Sequence, residues 1–440
     1  MPELNHQTVL YTPSLAFVPR ESWTLVIDGE APNWISTDER GAWLLQDLNG
    51  TPLAFSHVVS RYAAQFGLET GKAWVHVHAL VSEAIRHGIV SLAPIERPPY
   101  LGRAASLTLS RLREAWLHTN NSCNLACRHC LVSSSPRGEE GLPTDQWRHL
   151  IDQLVALGVD RFYLTGGEPF VRQDLPDLVR LITDSHHVEL IILTNATLVT
   201  SRLHLLDTLD RKLVKFQVSL DGSTPEINDP IRGHGSFDAA VAGMRALNRH
   251  GFDVTVTTVV TSRNVEDLPA ITRLAASCGV RSQHLMWMHK RGRILDDSSE
   301  NCFPRVGRLI EAVRAVKQEA DACGVVLDNA ASFELRANAP AGVKFDLGNA
   351  GWQSLCIYAD GQVYPSAAFA NHKPLWCGDA TNGMTLEQIW RNSPWLQQIR
   401  DASVIRKRQA SDDPLRYLTG GGDVEHSYFF SGDFVGEDPY

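Results

Sequence analysis

The chain reads as α/β: a partial (β/α)6 barrel at its centre, an N-terminal winged-helix domain before it and a small α+β domain after it. Two patterns carry this. From about residue 110 to 290, six short apolar runs alternate with amphipathic stretches, the signature of a parallel sheet covered by helices. Six such units are too few for a closed eight-stranded barrel, so the sheet is expected to stay open and curved. Ahead of it, two strands, three helices and a final short apolar run fit a winged helix in fewer than 100 residues.

In chain order, Trp23-Thr24-Leu25-Val26-Ile27 alternates like a strand and turns at Asp28-Gly29, with Asn33-Trp34-Ile35-Ser36 as its partner. Thr37-Asp38-Glu39 opens a helix that stops at Asn49-Gly50; further helices are expected at 53–66 and 72–87, and Ile89–Leu92 as a wing strand. A proline-rich linker, Pro94 to Arg103, ends this part, so the domains are set at 1–100, 101–300 and 301–440. Strands are expected at 113–119, 161–165, 188–193, 214–220, 253–260 and 281–287, and helices at 143–157, 173–185, 199–210, 235–250 and 266–278. A long helix at 303–324, a hairpin in IYADGQVYPS and a helix in TLEQIWRNSPWLQQIR complete the reading.

Bulk composition excludes several classes. A hydrophobic fraction of 43% with 21% charge is that of a globular protein. The net charge of −9 opposes a nucleic-acid partner. Residues 1–100 carry six Lys+Arg against ten Asp+Glu, a net of −4, the wrong sign for phosphate. No apolar run is long enough for a membrane, and Cys278, Cys302, Cys323, Cys356 and Cys377 are scattered singly rather than as a disulfide framework. A cytoplasmic location is the expectation.

Cys123, Cys127 and Cys130 crowd into CNLACRHC, directly after the first expected strand. Structural zinc closes with four ligands and disulfides need pairs, whereas three thiolates suit a [4Fe–4S] cluster with one iron left open. A zinc knuckle and buried thiols are the competing readings. YLTGGEPF follows the second strand, so both motifs fall on the C-terminal rim of the sheet, where such folds keep their chemistry.

The spacing CxxxCxxC together with a strand ending in GGEP resembles the radical S-adenosylmethionine (SAM) enzymes. The resemblance implies that Cys123, Cys127 and Cys130 hold one [4Fe–4S] cluster whose open iron binds SAM. It implies that Gly166, Gly167, Glu168 and Pro169 meet the methionyl amino group. His129 stands where the family has an aromatic residue, either along the nucleoside or as filler. Thr194, Asn195 and Ser219 match polar strand ends that contact the ribose and carboxylate, with turn formation as the alternative. Arg232, in a stretch similar to the family's HDxxRGxxGSF, is implied as a carboxylate clamp or else a salt bridge, and Asn264 occupies a further polar position.

The tail resembles a degenerate SPASM or twitch domain. Ser366 and Thr419–Asp423 stand where that pattern carries cysteines, so no auxiliary cluster is expected, and Cys356 and Cys377 read as core. Asp423, Glu425 and His426 offer hard ligands for a metal or ordinary hydrogen bonding. The N-terminal part is similar to a PqqD-like element that recognises leader peptides. The resemblances imply a maturase that modifies a ribosomally made precursor peptide, the leader bound by residues 1–92 and electrons supplied by a flavodoxin or ferredoxin. A radical SAM enzyme for a small molecule or tetrapyrrole-like precursor, and an Fe–S winged-helix sensor, are the alternatives. Cys278, Cys302 and Cys323 are candidate hydrogen donors or structural residues.

Overall fold

The computed structural model describes residues 4–295 and 302–440. The chain forms two compact units. One comprises Met1–Ser106 with Glu334–Leu347 and Ser403–Gly421; the other comprises Leu107–Phe333, Gly348–Ala402 and Gly422–Tyr440. The C-terminal 140 residues are therefore shared between the two.

The larger unit is built on six parallel strands: β1 (Glu114–His118), β2 (Arg161–Thr165), β3 (Glu189–Thr194), β4 (Val214–Ser219), β5 (Asp253–Val260) and β6 (Ser282–Trp287). Along β2, Phe162 and Leu164 are buried while their neighbours are half-buried, and β3 and β4 repeat the alternation. The buried set packs under helices such as Thr144–Ala156, whose Trp147, Leu150, Ile151 and Leu154 point inward at helical spacing. Parallel strands require such crossovers, and the helices supply them.

The sheet is larger than the six strands expected. Among the described residues it has ten, including β7 (Val326–Leu327), β8 (Ser354–Ile357), β9 (Gln362–Tyr364) and β10 (Gly378–Asp379), in the order β7-β6-β5-β4-β3-β2-β1-β8-β9-β10. It is open, with β7 and β10 at its edges. β8 lies parallel to β1, pairing Ser354 with Glu114 and Ile357 with Leu117, and the expected hairpin then continues antiparallel through Cys356↔Tyr364. The tail thus extends the central sheet.

Some helices are shorter than their patterns suggested. The stretch expected at 199–210 is a 3-10 turn, Val199–Arg202, and one helical turn, Leu203–Leu206. The stretch at 173–185 begins as α-helix, Leu175–Arg180, and relaxes to π geometry over Leu181–Ser185. TLEQIWRNSPWLQQIR breaks into Leu386–Asn392 and Pro394–Asp401, because Pro394 lacks the N–H that a continuous helix needs. A capping box between Thr385 and Gln388 starts the first of these. The long helix Val306–Cys323 ends where Gly324 turns left-handed at φ +68°.

The smaller unit carries a three-stranded antiparallel sheet, Leu15–Pro19, Thr24–Asp28 and Asn33–Thr37, with helices Glu39–Leu48, Phe55–Phe66 and Thr70–Arg86. Leu44, Val58, Tyr62, Val77 and Val81 form its core. The expected wing strand at 89–92 is reduced to a single bridge, Ser91 to Tyr11. The strand Leu15–Pro19, which carries no regular apolar alternation, and the short pair Val9–Leu10 with Leu53–Ala54 were not expected.

Candidate functional site

The cysteine loop leaves the C-terminal end of β1. Asn121 and Ser122 donate their backbone N–H groups to Glu139 O, and Cys123 N donates to Ser135 O, folding the loop back on itself. Tight turns run from Cys127 O to Cys130 N at 3.2 Å and from Cys130 O to Ser133 N at 3.3 Å. Two sulfurs receive backbone N–H groups: Leu125 N lies 3.4 Å from Cys123 Sγ, and Ser134 N lies 3.2 Å from Cys130 Sγ. The third, Cys127 Sγ, lies 3.7 Å from Arg232 O.

These residues fit a polynuclear cluster. Among the described residues no three of His, Cys, Asp and Glu are grouped so as to hold a single metal ion. A cluster spreads its ligands over separate irons. N–H groups aimed at sulfur favour the anionic thiolate and tune such a cluster. Burial pushes the Cys123 thiol up to about 12, so a bound metal rather than solvent would deprotonate it.

The GGEP turn lies directly against this loop. Gly167 N donates to Asn120 O at 2.7 Å and Glu168 N to Ser122 O at 3.0 Å. A Cβ on Gly166 would come within 2.4 Å of Asn120 O, and one on Gly167 within 2.1 Å of Ser122 O. Both glycines are required by backbone contact. Asn120, fully buried, ties the two motifs together by donating to Ser122 O at 2.7 Å and Glu168 O at 3.2 Å.

Glu168 is 1% exposed, and its carboxylate is consumed inside the protein. It accepts from Phe170 N at 3.0 Å, Thr194 Oγ1 at 2.7 Å and Asn195 N at 2.7 Å. Burial raises its pKa, and these three donors oppose the rise. Pro169 opens a short 3-10 turn behind it. Asn195 also reaches the loop, donating to Asn124 Oδ1 at 3.0 Å, with Cys123 Sγ at 3.9 Å.

A second centre forms around Asp221, which sequence reasoning did not single out. It is fully buried, with His129 Nε2 and Arg232 Nε each 2.6 Å from Oδ2, while Oδ1 accepts Val259 N at 2.9 Å. The Arg232 approach is an ion pair without aligned hydrogen-bond geometry. Burial would raise the Asp221 pKa, but Arg232 and His129 outweigh it and hold the carboxyl well below the ordinary range. Asn264 is likewise committed internally, donating to Asp221 O and Val259 O at 3.0 Å each and accepting Thr261 N at 2.7 Å. Ser219, half-buried at the end of β4, is different. Its hydroxyl makes no hydrogen bond among the described residues and stays available.

Two elements gather at the same rim from the far end of the chain. Cys302 packs with Met288 and Ile294 just past β6. Cys278 and Cys323 instead sit at helix C-termini, which feed the opposite ends of the strands. Asp423 caps the helix Val424–Ser431 by accepting Glu425 N at 2.6 Å, and His426 stacks on His289 at 4.2 Å between centroids. Cys356 and Cys377 are buried in the core. A surface cavity of about 1020 Å³, lined by Gln146, His149, Thr385 and Trp390, holds none of the candidate site residues.

Comparison with known proteins gives the family. The model of the radical SAM superfamily matches residues 117–275. Mycofactocin maturase MftC of Mycobacterium tuberculosis (strain ATCC 25618 / H37Rv) is 32% identical over 287 residues, 64% of this chain and 70% of that protein. The AdoMet-dependent heme synthase of Methanosarcina barkeri (strain Fusaro / DSM 804) is 26% identical over 72% of this chain and 93% of its own length. Among solved structures, Streptococcus suis SuiB bound to precursor peptide SuiA shares the fold at TM-score 0.59, with 15% identity over 97% of each chain. A cysteine triad on the β1 rim, a GGEP turn laid against it and a maturase relative at 32% identity lead to one conclusion: the chain belongs to the radical SAM superfamily and is a SAM-dependent enzyme.

Proposed function

We propose that this enzyme is a maturase that modifies a ribosomally made precursor peptide. The observation that carries the reading is the 32% identity to a maturase over 70% of that protein's length. The likeness in fold to SuiB, solved with its precursor peptide, adds support. Cys123, Cys127 and Cys130 would hold one [4Fe–4S] cluster. Such a cluster, loaded with SAM and given one electron by an external reductant, would supply radical chemistry by reductive cleavage of SAM. The chain's own part is placement. The backbone of Gly166–Pro169 is held beside the loop by Asn120, the Ser219 hydroxyl is open at the strand end, and His129 and Arg232 are fixed by Asp221.

Residues 1–92 serve as the PqqD-like, winged-helix leader-binding domain. The support is a net charge of −4 over residues 1–100, together with a three-stranded sheet whose outer strands Leu15–Pro19 and Asn33–Thr37 have no further strand partner among the described residues. An unpaired edge takes a peptide as an added strand through backbone hydrogen bonds. The tail is a SPASM-like module without auxiliary clusters, a reading supported by Ser366 in place of cysteine and by the burial of Cys356 and Cys377. The enzyme works in the cytoplasm with a flavodoxin or ferredoxin as reductant; no helix among the described residues is long and apolar enough to cross a membrane.

The test is mass spectrometry of a short peptide encoded beside the gene, after anaerobic turnover, with binding compared before and after removal of residues 1–92. A mass change on the peptide, and loss of binding on truncation, are expected. Absence of saturable binding would favour the second reading, a tetrapyrrole-like or other small-molecule substrate, which the match over 93% of a heme synthase supports.

A further inference from the structure

The backbone that leaves β6 runs back across the cysteine loop. Gly292 has φ +72°, and a Cβ there would lie 2.2 Å from Cys130 O and 2.5 Å from Leu131 O, so the two chains touch at this point. Arg293 then takes hold of the loop from three directions. Its backbone N–H donates to Cys130 O at 3.1 Å, and its guanidinium donates to Cys127 O and to Ser134 O. Within the ligand stretch Cys123–Ser134, the backbone bonds to itself through Cys127 O with Cys130 N and Cys130 O with Ser133 N, and two of its N–H groups reach ligand sulfurs. The segment from β6 therefore supplies three of the hydrogen bonds that order that stretch, all of them to its backbone carbonyls.

The same segment is gripped by the C-terminal part of the larger unit. Arg291, 9% exposed, donates to Ala368 O and Ala370 O and lies over the Phe429 ring at 5.4 Å. It meets no carboxylate among the described residues, so carbonyl dipoles and a ring face hold it in place. Tyr440 Oη donates to Met288 O at 2.8 Å, and His289 stacks on His426. Three residues thus connect tail and cysteine loop: Arg291 faces one, Arg293 the other, and Gly292 allows the close approach between them.

We propose that Arg291–Gly292–Arg293 is a positioning strap: Arg293 sets the geometry of the cluster loop, and Arg291 makes that setting depend on the fold of the tail. The inference rests on the three cysteines holding the cluster and is independent of which substrate is modified. Arg293 bonds to the carbonyls of Cys127 and Cys130, and its proposed role is exercised through those ligand residues. Groups that orient metal ligands in this way affect metal retention by about 10–100-fold when removed.

The test compares wild type, R293Q, R293K and R291Q after anaerobic reconstitution. It reads iron and sulfide per chain, iron retained under a chelator, and the electron paramagnetic resonance (EPR) spectrum of the reduced protein with and without SAM. R293Q is expected to lose iron to the chelator about 10-fold more readily. R293K, whose single ammonium cannot span both carbonyls, should fall between R293Q and wild type, and it carries the test should R293Q fail to fold. R291Q, which touches only the tail, is expected to keep its iron yet shift the EPR spectrum. Wild-type spectra and retention in R293Q and R293K would overturn the strap, and an unshifted R291Q would overturn its dependence on the tail. A wild type that takes up no iron would instead refute the cluster assignment itself.

Discussion

Replacing Asp221 with asparagine keeps the side chain's shape and removes its charge. The carboxylate is fully buried, with His129 Nε2 and Arg232 Nε each 2.6 Å away and Val259 N bonded at 2.9 Å. Arg232 is itself only 7% exposed, so D221N leaves a buried guanidinium without its counter-charge. Breaking a buried pair from one side costs about 3–5 kcal/mol, a large share of a total stability of about 5–15 kcal/mol. Removing both members costs far less, because no orphaned charge remains. Urea unfolding of the cluster-free protein, followed by circular dichroism, should therefore show a deep deficit for D221N and recovery of about 2–3 kcal/mol in D221N/R232M. The pH dependence has a definite sign. The folded carboxyl titrates below its unfolded value, so its contribution is complete above about pH 4 and is lost only as pH falls below that, through the folded pKa. The D221N deficit should be constant from pH 8 to pH 5 and shrink in acid. A deficit under about 1 kcal/mol, or a double variant as damaged as the sum of the singles, would refute the reasoning.

E168Q should lose about 1–3 kcal/mol, since the new amide turns a donor toward Asn195 N and strands a buried N–H. Because burial raises the Glu168 pKa, wild-type stability should fall as pH rises from the unfolded carboxyl pKa through the folded one, and in E168Q that slope should vanish; an unchanged slope in pH-resolved unfolding would contradict the assignment. G167A drives a Cβ to 2.1 Å from Ser122 O and must push the GGEP turn off the cysteine loop, costing about 1–3 kcal/mol and lowering iron uptake; retention of wild-type iron content would show that the close approach does not matter.

What the sequence revealed depended on whether the signal was local. The six parallel strands, and the helices Thr144–Ala156, Ser236–Arg249 and Leu268–Ser277, were legible because each strand is an apolar run and each of these helices keeps one apolar face, as Phe162 with Leu164 and Trp147 with Leu154 show. The cysteine triad and GGEP were legible because their spacing is itself the signal. Asp221 was hidden because one aspartate after a strand looks like a turn former, and its partner His129 lies 92 positions away. Arg293 was hidden for the same reason, grasping Cys127 O across 166 positions. The tail's union with the central sheet depends on the register of Ser354 against Glu114, which neither segment encodes alone. Thr194, Asn195 and Asn264 drew notice as polar strand ends, and the structure gives each of them partners within the protein.

The central claim is that Cys123, Cys127 and Cys130 hold the cluster at which SAM is cleaved. Its most direct measurement is 5′-deoxyadenosine formation under anaerobic reducing conditions, with iron content, for wild type and for the variant with all three cysteines changed to alanine. The account predicts about four irons per chain and steady nucleoside release in wild type, and neither in the variant. Nucleoside release by the alanine variant at the wild-type rate would contradict it.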